Sequence, residues 1–145
     1  MTGTEDVLFC AVMGCSVIVT LFHPHLKLGG LCHFDRPDGK AQELTTGHAN
    51  GSMLALSRKL KDLGAKRNML EAQIIGGACQ LHVKRCNAQQ TVIAAQRWLK
   101  KFNLNIISTD TGGHVGRKVF FNAKSGEVMV IKTKQLRQSD WDCHA

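Results

Sequence analysis

Cys15 and His33 are the residues whose types and spacing could carry out covalent chemistry. Gly14-Cys15 lies between two apolar segments, where a turn can present a thiol on a fixed backbone, and His33 follows eighteen residues later. A thiolate is a strong nucleophile, and a neighbouring imidazolium can lower a cysteine pKa from about 8.5 to about 3.5–7.5. Backbone N–H groups near Gly14 could stabilise an oxyanion, so the pair predicts acyl transfer from an amide or ester. Inert packing of a buried cysteine is the competing interpretation.

A second group of metal-binding side chains consists of His23, His25, Cys32 and His33. Their spacing matches no standard zinc pattern, and strand alternation directs Cys32 and His33 to opposite faces. The glycine pairs of the chain have no Walker or dinucleotide pattern around them. The sequence therefore predicts neither a metal site nor a bound cofactor.

The elements that must position these residues follow from the spacing of apolar side chains. Strands are predicted at Val7–Val12, Ser16–Phe22, Leu26–Phe34, Leu70–Ile75 and Leu104–Thr109, and a hairpin at Lys118–Asn122 with Glu127–Lys132. Helical spacing links Met53, Leu56, Leu60 and Leu63 before Gly64, and links Val92, Ala95, Leu99 and Phe102. Strands before, between and after two helices predict a layered α/β sandwich with a mixed sheet.

Length and charge limit the organisation and the partners of the chain. With 145 residues, it is predicted to be a single domain, residues 1–145, with a core at about 7–132 and a C-terminal tail at 133–145. Residues 58–101 hold ten Lys and Arg side chains against Asp62 and Glu71, and this excess accounts for the whole net charge of +8. Such a surface favours an acidic partner, although two helices with solvated basic faces give the same pattern.

The N-terminal apolar run predicts buried strands and not a targeting segment. Residues 7–22 are uncharged, but the preceding residues carry Glu5 and Asp6 and no basic side chain. The run is shorter than the ~20 residues that span a bilayer, and Pro24 follows it closely. The predicted location is the cytoplasm.

An ordered set of short motifs resembles the chemoreceptor glutamine deamidase family, CheD. The set begins with Gly14-Cys15-Ser-Val-Ile-Val and with Leu28-Gly-Gly-Leu-Cys-His33-Phe34 before Pro37. It continues with Leu63-Gly-Ala65, Leu70-Glu-Ala-Gln-Ile-Ile-Gly-Gly-Ala78, Asn87, Asp110-Thr-Gly-Gly113, Gly116-Arg-Lys-Val119 and Gly126-Glu-Val128. Each motif is weak alone, but the order across residues 7–132 is specific.

The resemblance implies a cytoplasmic protein-glutamine deamidase that acts on the cytoplasmic region of methyl-accepting chemotaxis receptors. It implies an α/β sandwich similar to the catalytic domain of the cytotoxic necrotizing factor toxins. The nucleophile of the family falls on Cys15 and its catalytic histidine on His33. The resemblance also implies a CheC-type phosphatase as a partner and contact with the membrane only through receptors. No nucleic acid is predicted as a partner.

Three departures from the family pattern bear on activity. Members usually have a threonine five or six residues before the cysteine, where this chain has Cys10 and Phe9. Gly14 replaces the usual serine before the nucleophile, and residues 82–87 differ from the common Ile-Gly and Arg-Asn pattern. The sequence therefore leaves open a catalytically weak adaptor that binds receptors or a CheC-type phosphatase. A nucleic-acid binder using the basic segment ranks lower, since two Trp and no Tyr provide few stacking side chains.

Overall fold

A five-stranded mixed sheet lies at the centre of the molecule, with two helices on one face and a second sheet on the other. The computed structural model describes residues 2–3, 6–40 and 45–134, with side chains from residue 6 onward. The strands are β1 (Thr2–Gly3), β2 (Leu8–Met13), β3 (Val17–His23), β4 (Leu28–Phe34), β5 (Glu71–Gly76), β6 (Asn105–Thr111), β7 (Gly116–Asn122) and β8 (Val128–Thr133). The helices are α1 (Ala49–Asp62) and α2 (Ala88–Lys101), with a short 3-10 helix at Arg67–Met69.

The large sheet has the strand order β1-β4-β3-β5-β6, and the small sheet has the order β2-β7-β8. Within the large sheet, β3 runs antiparallel to β4 and β5, whereas β5 and β6 are parallel. All neighbours in the small sheet are antiparallel. The predicted layered α/β sandwich with a mixed sheet is confirmed.

Strand β3 is buried along its whole length because both of its faces are covered. Alternation sends Val17, Val19 and Leu21 into the core shared with α1 and α2. Ile18 enters the second core, between the two sheets, where it joins Phe9 and Phe121. The run of apolar β-branched residues in this segment is what a doubly covered strand requires.

The predicted helices and strands match the observed elements with small shifts at their ends. Helix α1 ends at Asp62, two residues before Gly64, the residue predicted to terminate it, whose φ of +99° is a backbone conformation that glycine adopts without strain. The predicted tail at 133–145 lies, beyond Lys134, outside the described residues. No helix in the described parts of the chain is long and apolar enough to cross a membrane.

Strands β2 and β3 follow one another in the sequence but lie in different sheets, and this is the main feature that the sequence did not show. Strand β2 pairs with β7 in the small sheet, whereas β3 pairs with β4 in the large one. Residues 14–16 therefore carry the chain from one sheet to the other. This turn holds the predicted nucleophile.

Candidate active site

The Gly14–Ser16 turn is fixed by the end of the neighbouring strand β5. The backbone N–H of Gly77 donates a hydrogen bond of 2.8 Å to the carbonyl oxygen of Ser16. A Cβ atom at Gly76 would lie only 2.5 Å from that same oxygen, and the φ of Gly76 is +111°. Glycine at position 76 thus allows β5 to approach the turn closely.

The imidazole of His33 lies against this turn, and its partner there is Ser16. Ser16 Oγ and His33 Nε2 are 2.5 Å apart. The strand register explains the contact, because His33 lies directly opposite Ile18 and Ser16 precedes Ile18 by two residues. Side chains two residues apart on a strand share a face, so Ser16 and His33 are diagonal neighbours. They line one cleft of about 490 Å³ with Val12, Met13, Gly14, Phe34, Asp35, Arg36, Thr46 and Gly47.

The ring of His33 is accessible at the cleft, yet its surroundings favour the neutral form. Partial burial among neighbouring atoms lowers the pKa of His33 from its ordinary value, and the negative charge of Asp35 opposes this shift. An imidazole with a lowered pKa is neutral at neutral pH. His33 can therefore accept a proton, as a general base must.

The thiol of Cys15 lies in a different environment from His33. It lies close enough to Cys86 to lower the pKa of that thiol, and Cys86 interacts in turn with Cys79. The thiol of Cys86 donates to the carbonyl oxygen of Ala78 at 3.9 Å. The three residues will be called the thiol cluster. Cys79 and Cys86 line a second cavity, also of about 490 Å³, next to the start of α2 and the loop at Gly112. Ser16 thus presents its hydroxyl to His33, whereas the thiol of Cys15 lies near Cys86.

Within the thiol cluster, the pKa of Cys79 is raised and that of Cys86 is lowered. The hydrogen bond from Cys79 to Cys86 raises the pKa of Cys79 to about 11. Burial raises the pKa of Cys86, but hydrogen bonds from Cys79, from the backbone N–H of Ala88 and from Cys15 outweigh it and lower that pKa. Cys86 is therefore the member of the pair with Cys79 that more readily becomes a thiolate.

The structure also places Cys32 and His33, two of the side chains considered as metal ligands. Cys32 and His33 point to opposite faces, as alternation predicted: Cys32 is buried, and its thiol donates to the carbonyl of Val19 at 3.7 Å. Burial raises the pKa of Cys32 to about 12. Across residues 6–40 and 45–134, no three His, Cys, Asp or Glu side chains are arranged to hold a metal ion.

Neither Phe9 nor Cys10 provides a hydroxyl in place of the threonine that the family resemblance implies. Phe9 is buried and stacks on Phe121, with ring centroids 6.3 Å apart. Cys10 is disulfide-bonded. The hydroxyl that does reach the imidazole belongs to Ser16, which sequence reasoning missed because the contact depends on the register of β3 against β4.

Comparison with known proteins gives a family match over most of the chain. A family model described as CheD chemotactic sensory transduction matches residues 32–132. That range includes His33, strands β5 and β6 of the large sheet, both helices and nearly all of the hairpin of β7 and β8. It begins after the Gly14–Ser16 turn.

Relatives with similar sequences match a larger share of this chain. A probable chemoreceptor glutamine deamidase CheD 1 of Chromobacterium violaceum is 30% identical, over 92% of this chain and 73% of the relative. A chemoreceptor glutamine deamidase CheD of Thermotoga maritima is 34% identical, over 83% of this chain and 78% of the relative. A probable chemoreceptor glutamine deamidase CheD of Methanococcus vannielii is 30% identical, over 87% and 85%.

Proposed function

Because this chain belongs to the CheD family of chemotactic sensory transduction proteins, we propose that it is a protein-glutamine deamidase that converts glutamine side chains of chemoreceptors to glutamate. The relatives named chemoreceptor glutamine deamidases support both the reaction and the substrate. The observation that carries the proposal is His33, whose Nε2 lies against the hydroxyl of Ser16 in an open cleft. A receptor need only insert one glutamine side chain into this cleft.

The sequence-based form of the proposal assigns the attack to Cys15. Cys15 gives its thiol proton to His33 while its sulfur forms a bond to the carboxamide carbon. His33 passes this proton to the amide nitrogen as the C–N bond breaks and ammonia leaves, and water then hydrolyses the thioester with His33 as base. Cys15 does not line the cleft that holds His33, so its thiol has to turn towards His33 before it can attack. This form of the mechanism therefore includes a side-chain rotation before the chemistry.

The proposed substrate determines the proposed place of action. The glutamines belong to the cytoplasmic region of a methyl-accepting receptor, so the protein would act in the cytoplasm and meet the membrane only through the receptor. No cofactor is needed for amide hydrolysis by a nucleophile and a base.

A second candidate function is that of a catalytically weak adaptor. The family threonine is expected at position 9 or 10, but neither Phe9 nor Cys10 has a hydroxyl. Phe9 is packed in the core and Cys10 is disulfide-bonded. An adaptor of this kind would bind receptors or a CheC-type phosphatase without turning over glutamine. Binding without product formation distinguishes it from the deamidase.

The test is mass spectrometry of a receptor cytoplasmic fragment after incubation with the protein, together with measurement of released ammonia. We expect conversion of specific glutamines, and we expect His33→Ala to reduce the rate at least a hundredfold because the base is removed. His25→Ala is the matched control, since His25 is exposed in the turn at the opposite end of the β3–β4 hairpin. Receptor binding with no conversion by the wild type would favour the adaptor.

A further inference from the structure

The further inference concerns which side chain of the Gly14–Ser16 turn attacks the substrate. In enzymes that work through a covalent intermediate, nucleophile and base lie within hydrogen-bonding distance of one another. Ser16 Oγ and His33 Nε2 meet this condition at 2.5 Å, and both side chains line the same cleft. Cys15 is not among the residues that line this cleft, and its thiol interacts with Cys86, which lines a separate cavity.

The opposite directions of Cys15 and Ser16 follow from the strand that they precede. Ser16 shares the parity of Ile18, which lies opposite His33 and enters the core between the two sheets. Cys15 shares the parity of Val17, whose side chain enters the core beneath the helices. The alternation of β3 begins at Val17, and its continuation back through the turn would direct the hydroxyl and the thiol to different sides.

We propose that Ser16 is the nucleophile of this protein and that His33 activates its hydroxyl. The inference rests on the proposed deamidase function and deepens it. The Ser16 carbonyl is held by Gly77, so the hydroxyl starts from a fixed backbone. Ser16 already contacts His33, whereas Cys15 would first have to turn into the cleft.

The steps balance as an ordinary hydrolysis through an ester. Ser16 Oγ forms a bond to the carboxamide carbon of glutamine while its proton passes to His33 Nε2. The imidazolium then gives this proton to the amide nitrogen, the C–N bond breaks, and ammonia leaves. Water attacks the Ser16 ester with His33 as base, which restores the hydroxyl and releases glutamate. Asp35 supports the transient imidazolium, since its charge raises the pKa of His33.

Two matched single variants test the assignment with the receptor fragment. We expect Ser16→Ala to reduce kcat/KM at least a hundredfold, because removal of a nucleophile is costly even when binding remains. Cys15→Ala, one residue away in the same turn, would be inactive if Cys15 were the nucleophile, so product formation by this variant supports the Ser16 assignment. Circular dichroism verifies that both variants fold. Activity intact in Ser16→Ala and lost in Cys15→Ala would overturn the Ser16 assignment and leave the deamidase proposal standing.

A rescue variant adds a readout that a structural role of Ser16 would not give. In Cys15→Ala/Ser16→Cys, a thiol replaces the hydroxyl next to His33. We expect this protein to deamidate the fragment and to be inactivated by iodoacetamide, whereas Cys15→Ala alone resists the reagent. A double variant that folds but is inactive, or that iodoacetamide does not inactivate, would contradict the proposal.

An acyl-transfer probe separates failure of this inference from failure of the proposed function. After brief exposure to p-nitrophenyl acetate, peptide sequencing by mass spectrometry should locate the acetyl group on Ser16, stable to neutral hydroxylamine as an oxygen ester is. An acetyl group on Cys15 that hydroxylamine removes would overturn the inference. If Ser16 is acetylated but no receptor glutamine is converted, the Ser16 assignment stands and the deamidase proposal fails.

Discussion

At the scale of single residues, the balance between burial and one carboxylate sets the protonation of His33. Burial lowers the pKa of His33, and Asp35, two residues along the chain, raises it in part. A base must be neutral before it accepts a proton, so kcat/KM falls as the pH drops below the pKa of the free base. This fall is the acid limb of the pH profile of kcat/KM, and the pH at which it occurs therefore reports the electrostatics of the cleft.

Asp35→Asn tests this balance. Loss of the negative charge removes the contribution that favours the imidazolium, so the pKa of His33 should fall and the acid limb of kcat/KM should move to lower pH. The rate on the plateau should change little if the charge acts only through the pKa. Asp38→Asn, an exposed acid three residues further along, is the control and should leave the profile in place. An unmoved limb in Asp35→Asn would show that Asp35 does not act on the base.

At the scale of elements, an ion-pair cluster joins the two sheets near the site. Asp110 on β6 accepts from Arg117 on β7 at 3.3 Å and from Lys132 on β8 at 3.0 Å. Burial raises the pKa of Asp110, but the hydrogen bonds and charges of Arg117 and Lys132 outweigh it and lower that pKa. Arg117 is 2% exposed and lies opposite Met13 in the register of β2 and β7, next to the turn.

Asp110→Ala should destabilise the fold strongly, because it leaves a buried guanidinium without its counter-charge. We expect a loss of about 3 kcal/mol in the free energy of unfolding, measured by urea denaturation. Lys132→Ala should cost less than about 1 kcal/mol, since the lysine side chain is 53% exposed. Asp62→Ala, at the exposed end of α1, is the control for loss of an acid. Equal effects of Asp110→Ala and Asp62→Ala would refute the role of the cluster.

At the scale of the whole molecule, positive charge is concentrated on the helix layer and on the loop that follows β5. The basic side chains of residues 58–101 are exposed except for Arg67, which is half-buried. Arg67 instead lies over the ring of Phe102, with its guanidinium carbon 4.4 Å from the centroid, and near that of Trp98. An exposed field of one sign accelerates encounter with an oppositely charged partner.

Charge reversal tests whether this field attracts the receptor. We expect Arg58→Glu/Lys61→Glu/Arg97→Glu to reduce kcat/KM on a receptor fragment by about tenfold at low salt, with the difference shrinking as salt screens the charges. Lys27→Glu/Lys124→Glu/Lys134→Glu changes the net charge equally at exposed sites outside the segment. Equal losses in both triple variants, or a loss that salt does not reduce, would argue against steering by the helix layer.

The sequence predicted the layers better than it predicted the site, for physical reasons. Apolar periodicity is a local property, so the strands, both helices and the end of α1 near Gly64 could be read from it. The contact between Ser16 and His33 depends on the register of two strands, which no local pattern encodes. The thiol cluster depends on the end of β5 and the start of α2 meeting at the turn, which is likewise a long-range property.

The opposite directions of Cys15 and Ser16 also have a consequence for descent. Interchange of two adjacent residues would place a thiol on His33 and a hydroxyl in the thiol cluster, with the same length, composition and charge. A lineage could thus pass between oxygen-ester and thioester chemistry while its scaffold stayed the same. At this turn, the order of two neighbouring residues would decide which of the two chemistries the site performs.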